Sequence, residues 1–173
     1  MKLARVVLTT LLSLGLLVGC STTPAPADGD ALTWVVVRHA EKATDDPEDP
    51  SLSALGQARA QRLAQQLASA PVVAVYATEY KRTRQTGQPT ADAHHVTISA
   101  YYAKGPASEV ATQLKAAHSR GTVLVVGHSN TVPDIVSALS GQLADPMPDT
   151  EYDRLTRIHV GADGRVRVEI SRY

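Results

Sequence analysis

Two short apolar runs most constrain what this chain can fold into. Residues 32–37 and 122–126 consist mainly of Val, Leu and Trp, and each run ends at a charged residue or a glycine. Strands that lack an alternation of apolar and polar residues are typical of parallel sheets that helices cover on both faces. The two runs therefore predict central strands of a buried, mostly parallel sheet.

Helical and extended segments alternate along residues 32–173, which we expect to form one domain. After the first strand the sequence predicts a helix with Ser53 as its N-cap, a strand over 72–76, a helix over 80–91 around Pro89 and a strand over 96–98. It then predicts a helix capped by Ser108 and stopped by Gly121, the strand over 122–126, a helix over 131–139 and a hairpin of 156–160 with 165–170. Repeated strand–helix units predict an α/β domain with three layers, α/β/α, around a mostly parallel central sheet.

The residues before the domain predict a targeting signal. Residues 1–19 combine Lys2 and Arg5 with an apolar run over 6–18 that is too short to cross a bilayer, which is typical of a signal peptide. The run ends in Leu-Val-Gly-Cys, which resembles the lipobox of bacterial lipoproteins and implies cleavage before Cys20 and lipidation of that cysteine. The alternative is an ordinary signal peptide with an incidental Cys20.

The segment after the predicted signal peptide indicates how the domain is attached to the membrane. Residues 20–31 are rich in Pro, Ala and small polar residues and predict a flexible tether behind the lipidated cysteine. We therefore expect a lipoprotein of the bacterial cell envelope that faces the periplasm and is attached to the membrane by its N-terminal lipid. Ser21 follows the cysteine where an aspartate would indicate inner-membrane retention, and this favours the outer membrane.

Charge and cysteine content exclude several classes of protein. The chain has 17 basic and 17 acidic residues without a basic stripe, so we expect no nucleic-acid partner. Its single cysteine excludes an internal disulfide, a cysteine-rich zinc site and an iron–sulfur cluster.

Two of the predicted strands run directly into histidine. Arg38 and His39 follow the first apolar run, and Gly127 and His128 follow the second. In open α/β sheets, ligands bind beyond the carboxyl ends of the strands. If the two strands are neighbours, both imidazoles face one pocket.

These residues resemble a known family. The stretch Arg38-His39-Ala40-Glu41-Lys42 looks like the Arg-His motif of the histidine phosphatase superfamily, which includes the phosphoglycerate mutases. The resemblance continues through residues 52–56, the segment 76–86 with Arg82, and Gly127-His128-Ser129. It spans about residues 32–139, and the variety it most resembles is a small bacterial lipoprotein branch with the Arg-His-Ala-Glu-Lys motif. The resemblance implies a phosphoglycerate mutase-like fold.

The resemblance also implies a reaction. His39 would be the nucleophile and pass through a phosphohistidine, and His128 would be a further donor to the transferring group. Arg38 and Arg82 would bind the phosphate oxygens, while Arg84 would face elsewhere. The activity implied is a phosphatase that needs neither a metal nor another cofactor and hydrolyses phosphomonoesters or phosphohistidine-like bonds of a small phosphorylated substrate.

The sequence departs from the family pattern at the general acid. Many relatives carry a glutamate after the third strand, where this chain has Ser99-Ala100-Tyr101-Tyr102, and others carry an aspartate after the second histidine, where it has Ser129. Glu41, Glu109 and Asp134 are the candidates that remain. Asp134 also has a structural interpretation, because Thr131 three residues earlier resembles a capping box.

Two other functions fit parts of the pattern. The chain could be a non-catalytic envelope lipoprotein that binds phosphorylated ligands, since the expected acid is missing. It could also be a serine hydrolase that uses Ser129, which stands between a strand and a helix as a nucleophile elbow does.

Overall fold

The computed structural model describes residues 32–173, and the predicted signal peptide 1–19, the tether 20–31 and Cys20 lie outside them. The elements in chain order are β1 (Leu32–Arg38), α1 (Ala54–Gln66), β2 (Val72–Ala77), α2 (Lys81–Ala93), β3 (Ile98–Ala100), α3 (Ala107–Ala117), β4 (Gly121–Gly127), α4 (Val132–Ser140), β5 (Arg154–Val160) and β6 (Val166–Arg172). Within this range, no helix combines the length and apolar character that a membrane crossing requires.

All six strands form one sheet with the order β3-β2-β4-β1-β5-β6. β3, β2, β4 and β1 are parallel to one another, whereas β5 pairs antiparallel with β1 and β6 antiparallel with β5. The two predicted apolar runs are β1 and β4, and they are neighbours at the centre. The expectation of a mostly parallel sheet is therefore confirmed.

Alternate residues of β1 face opposite helical layers. Trp34 and Val36 pack in one cluster with residues of α3 and α4, whereas Val35 and Val37 pack in a second cluster with Leu63 of α1 and with α2. Because side chains of a strand point alternately to the two faces, a strand buried on both faces must be apolar throughout. This confirms the three-layer α/β/α architecture.

The ends of several elements differ from the sequence prediction. The third strand begins at Ile98 rather than at residue 96, because the Val96 amide donates back to the Ala91 carbonyl and closes the end of α2. Ser108 is not the N-cap of α3, since Pro106 occupies that position and its carbonyl accepts the Glu109 amide. The helix then ends at Ala117, before Gly121.

Gly121 belongs to β4 instead of stopping α3. Its φ of 82° lies in the left-handed region, and a Cβ there would come within 2.7 Å of the Val73 side chain. The glycine is therefore needed where the chain enters the central strand, a tertiary constraint that is absent from the local sequence.

Candidate active site

The two histidines leave the sheet side by side. β1 and β4 pair in a register that sets Arg38 opposite Gly127, and the His39 amide donates to the Gly127 carbonyl at 2.9 Å. The next residue on each strand is a histidine, and the two ring centroids are 5.3 Å apart in an edge-on arrangement. The spacing along the sequence therefore places both imidazoles at one point of the carboxyl edge.

A pocket of about 430 Å³ opens over these histidines. A pocket of this size is in the range that holds a small molecule. It collects all four residues that the sequence singled out for phosphate chemistry, together with several that it did not. The lining residues are Arg38, His39, Lys42, Tyr80, Arg82, Ala103, Lys104, His128, Ser129, Asn130, Thr131, Asp149 and Tyr152.

His39 presents a neutral nitrogen to the pocket. Its Nδ1 lies 2.8 Å from the Ala40 carbonyl oxygen, and because a carbonyl only accepts, Nδ1 carries the hydrogen. Nε2 then keeps its lone pair. Burial, with smaller contributions from His128, Arg38 and Arg82, lowers the pKa of His39 to about 3, even though the Ala40 hydrogen bond acts in the opposite direction. The His39 imidazole is therefore neutral at ordinary pH, with a lone pair on Nε2.

His128 is fixed by a short chain of hydroxyl groups. Its Nε2 lies 3.0 Å from Thr78 Oγ1, which lies 2.8 Å from Thr83 Oγ1. Burial first, and Arg82 next, lower the pKa of His128 to about 4. Since Nε2 is hydrogen-bonded to Thr78, Nδ1 is the ring nitrogen left for a ligand. The Thr78 hydroxyl can either donate a hydrogen bond to Nε2 or accept one from it, so either nitrogen of the ring can carry the hydrogen.

The turn after His128 is held by Thr131. The His128 amide donates to Thr131 Oγ1 at 3.1 Å, and no side chain caps α4. The predicted capping box of Thr131 and Asp134 is therefore wrong, because the threonine hydroxyl is already used by the turn that positions His128. The amides of Thr131 and Val132 bond to the His128 carbonyl, and Ser129, Asn130 and Thr131 line the pocket.

Arg38 is buried and clamped from two sides. Its guanidinium carbon lies 4.0 Å from the centroid of the Tyr152 ring, and Nη1 is within hydrogen-bond distance of the carbonyl oxygens of Pro148, Asp149 and Glu151. Its Nε is buried without an acceptor. The cation is thus held rigidly, and one buried donor has no protein partner.

Arg82 is held in a similar way from α2. Its guanidinium carbon lies 4.3 Å from the Tyr80 ring centroid, and Nη1 lies 3.7 Å from Asp49 Oδ1. Its Nε is also buried without an acceptor. Arg84 is exposed and does not line the pocket. Of the two arginines, the structure brings Arg82 to the histidines, as the resemblance implied.

The three candidates for the general acid all lie outside this pocket. Asp134 is an exposed residue of α4 that lines a separate cavity, and Glu109 is an exposed residue of α3. Glu41 points toward Arg59, whose Nε lies 3.0 and 2.9 Å from its two carboxylate oxygens. None of the three expected acids is therefore placed to protonate a leaving group at His39.

Glu41 instead braces the segment that carries Arg38 and His39. Arg59 bonds to both Glu41 oxygens and donates from Nη1 to the Tyr173 carbonyl at 2.9 Å. The Tyr173 hydroxyl, which is buried, donates to the Arg38 carbonyl at 3.3 Å. These bonds tie α1 and the segment after β6 to the end of β1.

Sequence reasoning gave no individual role to several residues of the pocket. Tyr152, which stacks on Arg38, belongs to no motif, and Asp149 belongs to a loop without periodicity. Tyr80, which stacks on Arg82, was seen only as part of the segment 76–86. Lys42 was seen only as part of a motif. The proximity of Tyr80 to Arg82 along the chain was the one local signal available.

The serine-hydrolase alternative lacks its geometry. The Ser129 hydroxyl donates to Asp149 Oδ1 at 2.7 Å, and His128 Nε2 faces Thr78. No imidazole in residues 32–173 is hydrogen-bonded to Ser129, so the hydroxyl has no base to activate it. The same residues contain no cluster of three or more histidine, cysteine, aspartate or glutamate side chains that could hold a metal ion.

The fold and the paired histidines define the class of protein as a phosphoglycerate mutase-like α/β protein. Residues 34–102 match the model of the histidine phosphatase superfamily (branch 1). The matched segment contains Arg38, His39 and Arg82 of the pocket, and this part of the chain is similar to that superfamily. No curated protein sequence matches it significantly.

Solved structures share the architecture at low sequence identity. The protein histidine phosphatase SixA, solved with tungstate, is 18% identical over 81% of this chain and 96% of its own, with a TM-score of 0.67. A mycobacterial glucosyl-3-phosphoglycerate phosphatase is 12% identical over 83% and 98%, with a TM-score of 0.61. Phosphoglycerate mutase from Bacillus anthracis is 16% identical over 83% and 94%, with a TM-score of 0.60. At these identities the likeness concerns the fold.

The Glu41–Arg59 pair makes a prediction about stability. Burial acts to raise the pKa of Glu41, but the Arg59 hydrogen bonds outweigh it and hold the pKa below the ordinary 4.5. Glu41→Gln should lower the free energy of unfolding at neutral pH by about 1–3 kcal/mol. Because the folded pKa is depressed, the stabilisation is present above pH 4.5 and is lost as the pH falls through the folded value. Urea unfolding should therefore show the difference shrinking on acidification.

The matched control for this prediction is Glu109→Gln on the exposed face of α3. Its free energy of unfolding should stay within about 0.5 kcal/mol of the parent chain. A Glu41→Gln difference that is the same at neutral and at acidic pH would contradict the ion pair as its cause.

The two buried imidazoles make a prediction about titration. In NMR spectra of the folded protein, the ring signals of His39 and His128 should stay those of neutral imidazoles down to about pH 5, since their pKa values lie near 3 and 4. The same histidines in urea-unfolded protein should titrate near 6.5. Because the unfolded chain binds these protons first, acidification below pH 6.5 should also destabilise the fold. Midpoints near 6.5 in the folded protein would refute this assignment.

Proposed function

We propose that this protein is a phosphatase that hydrolyses phosphomonoesters, or phosphohistidine-like bonds, through a phosphohistidine on His39. The observation that carries the proposal is the neutral Nε2 of His39 placed in one pocket with two guanidinium groups, each of which has a buried Nε donor without a partner in the described residues. Unpaired buried donors are rare in proteins because they are costly. A phosphate group would supply acceptors to this pocket.

The first step follows from the tautomer of His39. Nε2 attacks phosphorus, the N–P bond forms and the bond from phosphorus to the leaving group breaks. Nδ1 keeps its hydrogen on the Ala40 carbonyl, so no base has to take a proton from the nucleophile. Arg38 and Arg82 bind the equatorial oxygens, where their positive charge stabilises the transition state.

His128 would donate to the transferring group from Nδ1. A bound phosphate raises the proton affinity of the imidazole beside it, and Thr78 can then accept the Nε2 hydrogen. Arg38 and Arg82 supply positive charge against the phosphate, so we propose that no metal takes part. Since the expected acids lie outside the pocket, leaving groups that need little protonation fit the site best.

We also propose that the domain acts at the bacterial cell envelope. The support is the sequence of residues 1–20, with its apolar run and its resemblance to a lipobox ending in Cys20. We propose that the lipid on Cys20 anchors the protein in the outer membrane. Its substrate would be a small phosphorylated molecule that reaches the periplasm.

The phosphohistidine is the first prediction of this mechanism. After incubation with an aryl phosphate, mass spectrometry under conditions that avoid acid should find phosphate on His39. His39→Ala should abolish both the label and the turnover. Chelators should leave the rate unchanged. Turnover that His39→Ala retains would overturn the mechanism, and a folded protein that binds phosphate without ever forming the label would be a binding protein instead.

Arg82 and Arg84 give a matched pair of control variants. Arg82→Ala should lower kcat/KM by about 10²–10³, which is the usual cost of losing one such electrostatic donor. Arg84→Ala removes the same charge from the same helix but outside the pocket, and its kcat/KM should be unchanged. Equal losses in both variants would show that the effect is a general one of charge.

The anchor has its own test. Cys20→Ser should move the full-length protein from the membrane fraction to the soluble fraction of the periplasm and remove the mass of the attached lipid. The activity of the domain should not change, because the residues that line the pocket lie between Arg38 and Tyr152. Membrane association that survives Cys20→Ser would contradict the lipid anchor.

A further inference from the structure

One carboxylate does line the pocket within residues 32–173, and it comes from a loop that the sequence did not single out. Asp149 lies in the segment between α4 and β5. Its side chain is 91% exposed, so the carboxylate meets the solvent that fills the pocket. It is therefore the acidic group with direct access both to water and to the site of phosphoryl transfer.

The position of Asp149 is fixed by two residues of the site. The Ser129 hydroxyl, directly after His128, donates to Oδ1 at 2.7 Å. Arg38 Nη1 donates to the Asp149 backbone carbonyl at 2.8 Å, and Arg38 Nη2 lies 3.9 Å from Oδ1. The carboxylate is thus held beside the guanidinium group that would bind the phosphate oxygens.

Other acidic residues near the pocket are already engaged elsewhere. Asp49 Oδ1 accepts the Lys81 amide, and Asp49 does not line the pocket. Glu79 is exposed, accepts the Ala103 amide at 3.3 Å and does not line the pocket either. Glu41 is paired with Arg59. Asp149 is left as the group that can act on a water molecule there.

We propose that Asp149 is the general base for hydrolysis of the phosphohistidine, an inference that rests on the proposed function. A water molecule attacks phosphorus, the O–P bond forms, and the Asp149 carboxylate takes a proton from that water. The N–P bond breaks and its electron pair returns to His39 Nε2, which leaves a neutral imidazole and free phosphate. The proton then passes from Asp149 to solvent.

Ser129 is the positioning residue of this step. It orients Asp149 through the hydrogen bond to Oδ1 and makes no contact with the reacting atoms in this scheme. Ser129→Ala keeps the carboxylate but frees it to rotate, so the second step should slow by a smaller factor than on loss of the charge.

The test is Asp149→Asn, a substitution of an exposed side chain that keeps an oxygen able to accept from Ser129. General bases contribute typically about 10²–10⁴ in rate, so kcat for an aryl phosphate should fall at least about 10²-fold. Because kcat/KM reports the steps up to phosphoenzyme formation, it should be unchanged or slightly higher. The phosphohistidine on His39 should accumulate, visible as a burst of the phenol and as label in rapid quench.

The matched control is Asp145→Asn, which removes the same charge from an exposed position of the same loop outside the pocket. Its kcat and its level of phosphohistidine should be those of the parent protein. An Asp149→Asn protein with unchanged kcat, or with kcat and kcat/KM lowered together and no accumulated label, would overturn the role of Asp149. Absence of label in every variant and in the parent would instead overturn the phosphohistidine mechanism itself.

Discussion

The pairing of β1 with β4 is the constraint on which the rest of this structure depends. Their parallel register sets Arg38 opposite Gly127, and the bond from the His39 amide to the Gly127 carbonyl extends the ladder by one residue past the strand. A shift by one residue would turn His39 to the other face of the sheet. The chemistry of the pocket therefore depends on this register between two strands that are buried at the centre of the sheet.

Gly127 shows how closely that edge is packed. A Cβ at this position would lie 2.9 Å from the Tyr101 hydroxyl and 3.1 Å from Thr131 Oγ1. Tyr101 donates to the Val126 carbonyl at the end of β4, and Thr131 accepts the His128 amide. The strand end is thus held by side chains from two other segments, which leaves room for glycine alone between them.

The electrostatics of the pocket are prepared by packing. Tyr152 and Tyr80 each lie against one guanidinium group and orient Arg38 and Arg82. Carboxylate oxygens of Asp149 and Asp49 lie 3.9 and 3.7 Å from these two guanidinium groups. Burial keeps both imidazoles neutral beside these cations, because a charged imidazole would lose hydration and meet like charge. A site organised in this way suits an anionic group that carries the missing acceptors.

The sequence by itself determined the mostly parallel sheet, its two central strands and the position of the two histidines at the strand ends. This was possible because consecutive residues show both that a strand is buried and where it ends. The same local logic, aided by the family resemblance, separated Arg82 from Arg84. The predicted N-cap at Ser108 is wrong because Pro106 takes that position. The predicted helix stop at Gly121 is wrong because this glycine is needed where β4 passes Val73, a contact that the local sequence does not show. Only the tertiary structure decided the roles of Glu41, Asp149 and Tyr152. Their partners lie far away along the chain, and a loop without periodicity acquires its position only when Arg38 binds its carbonyl groups.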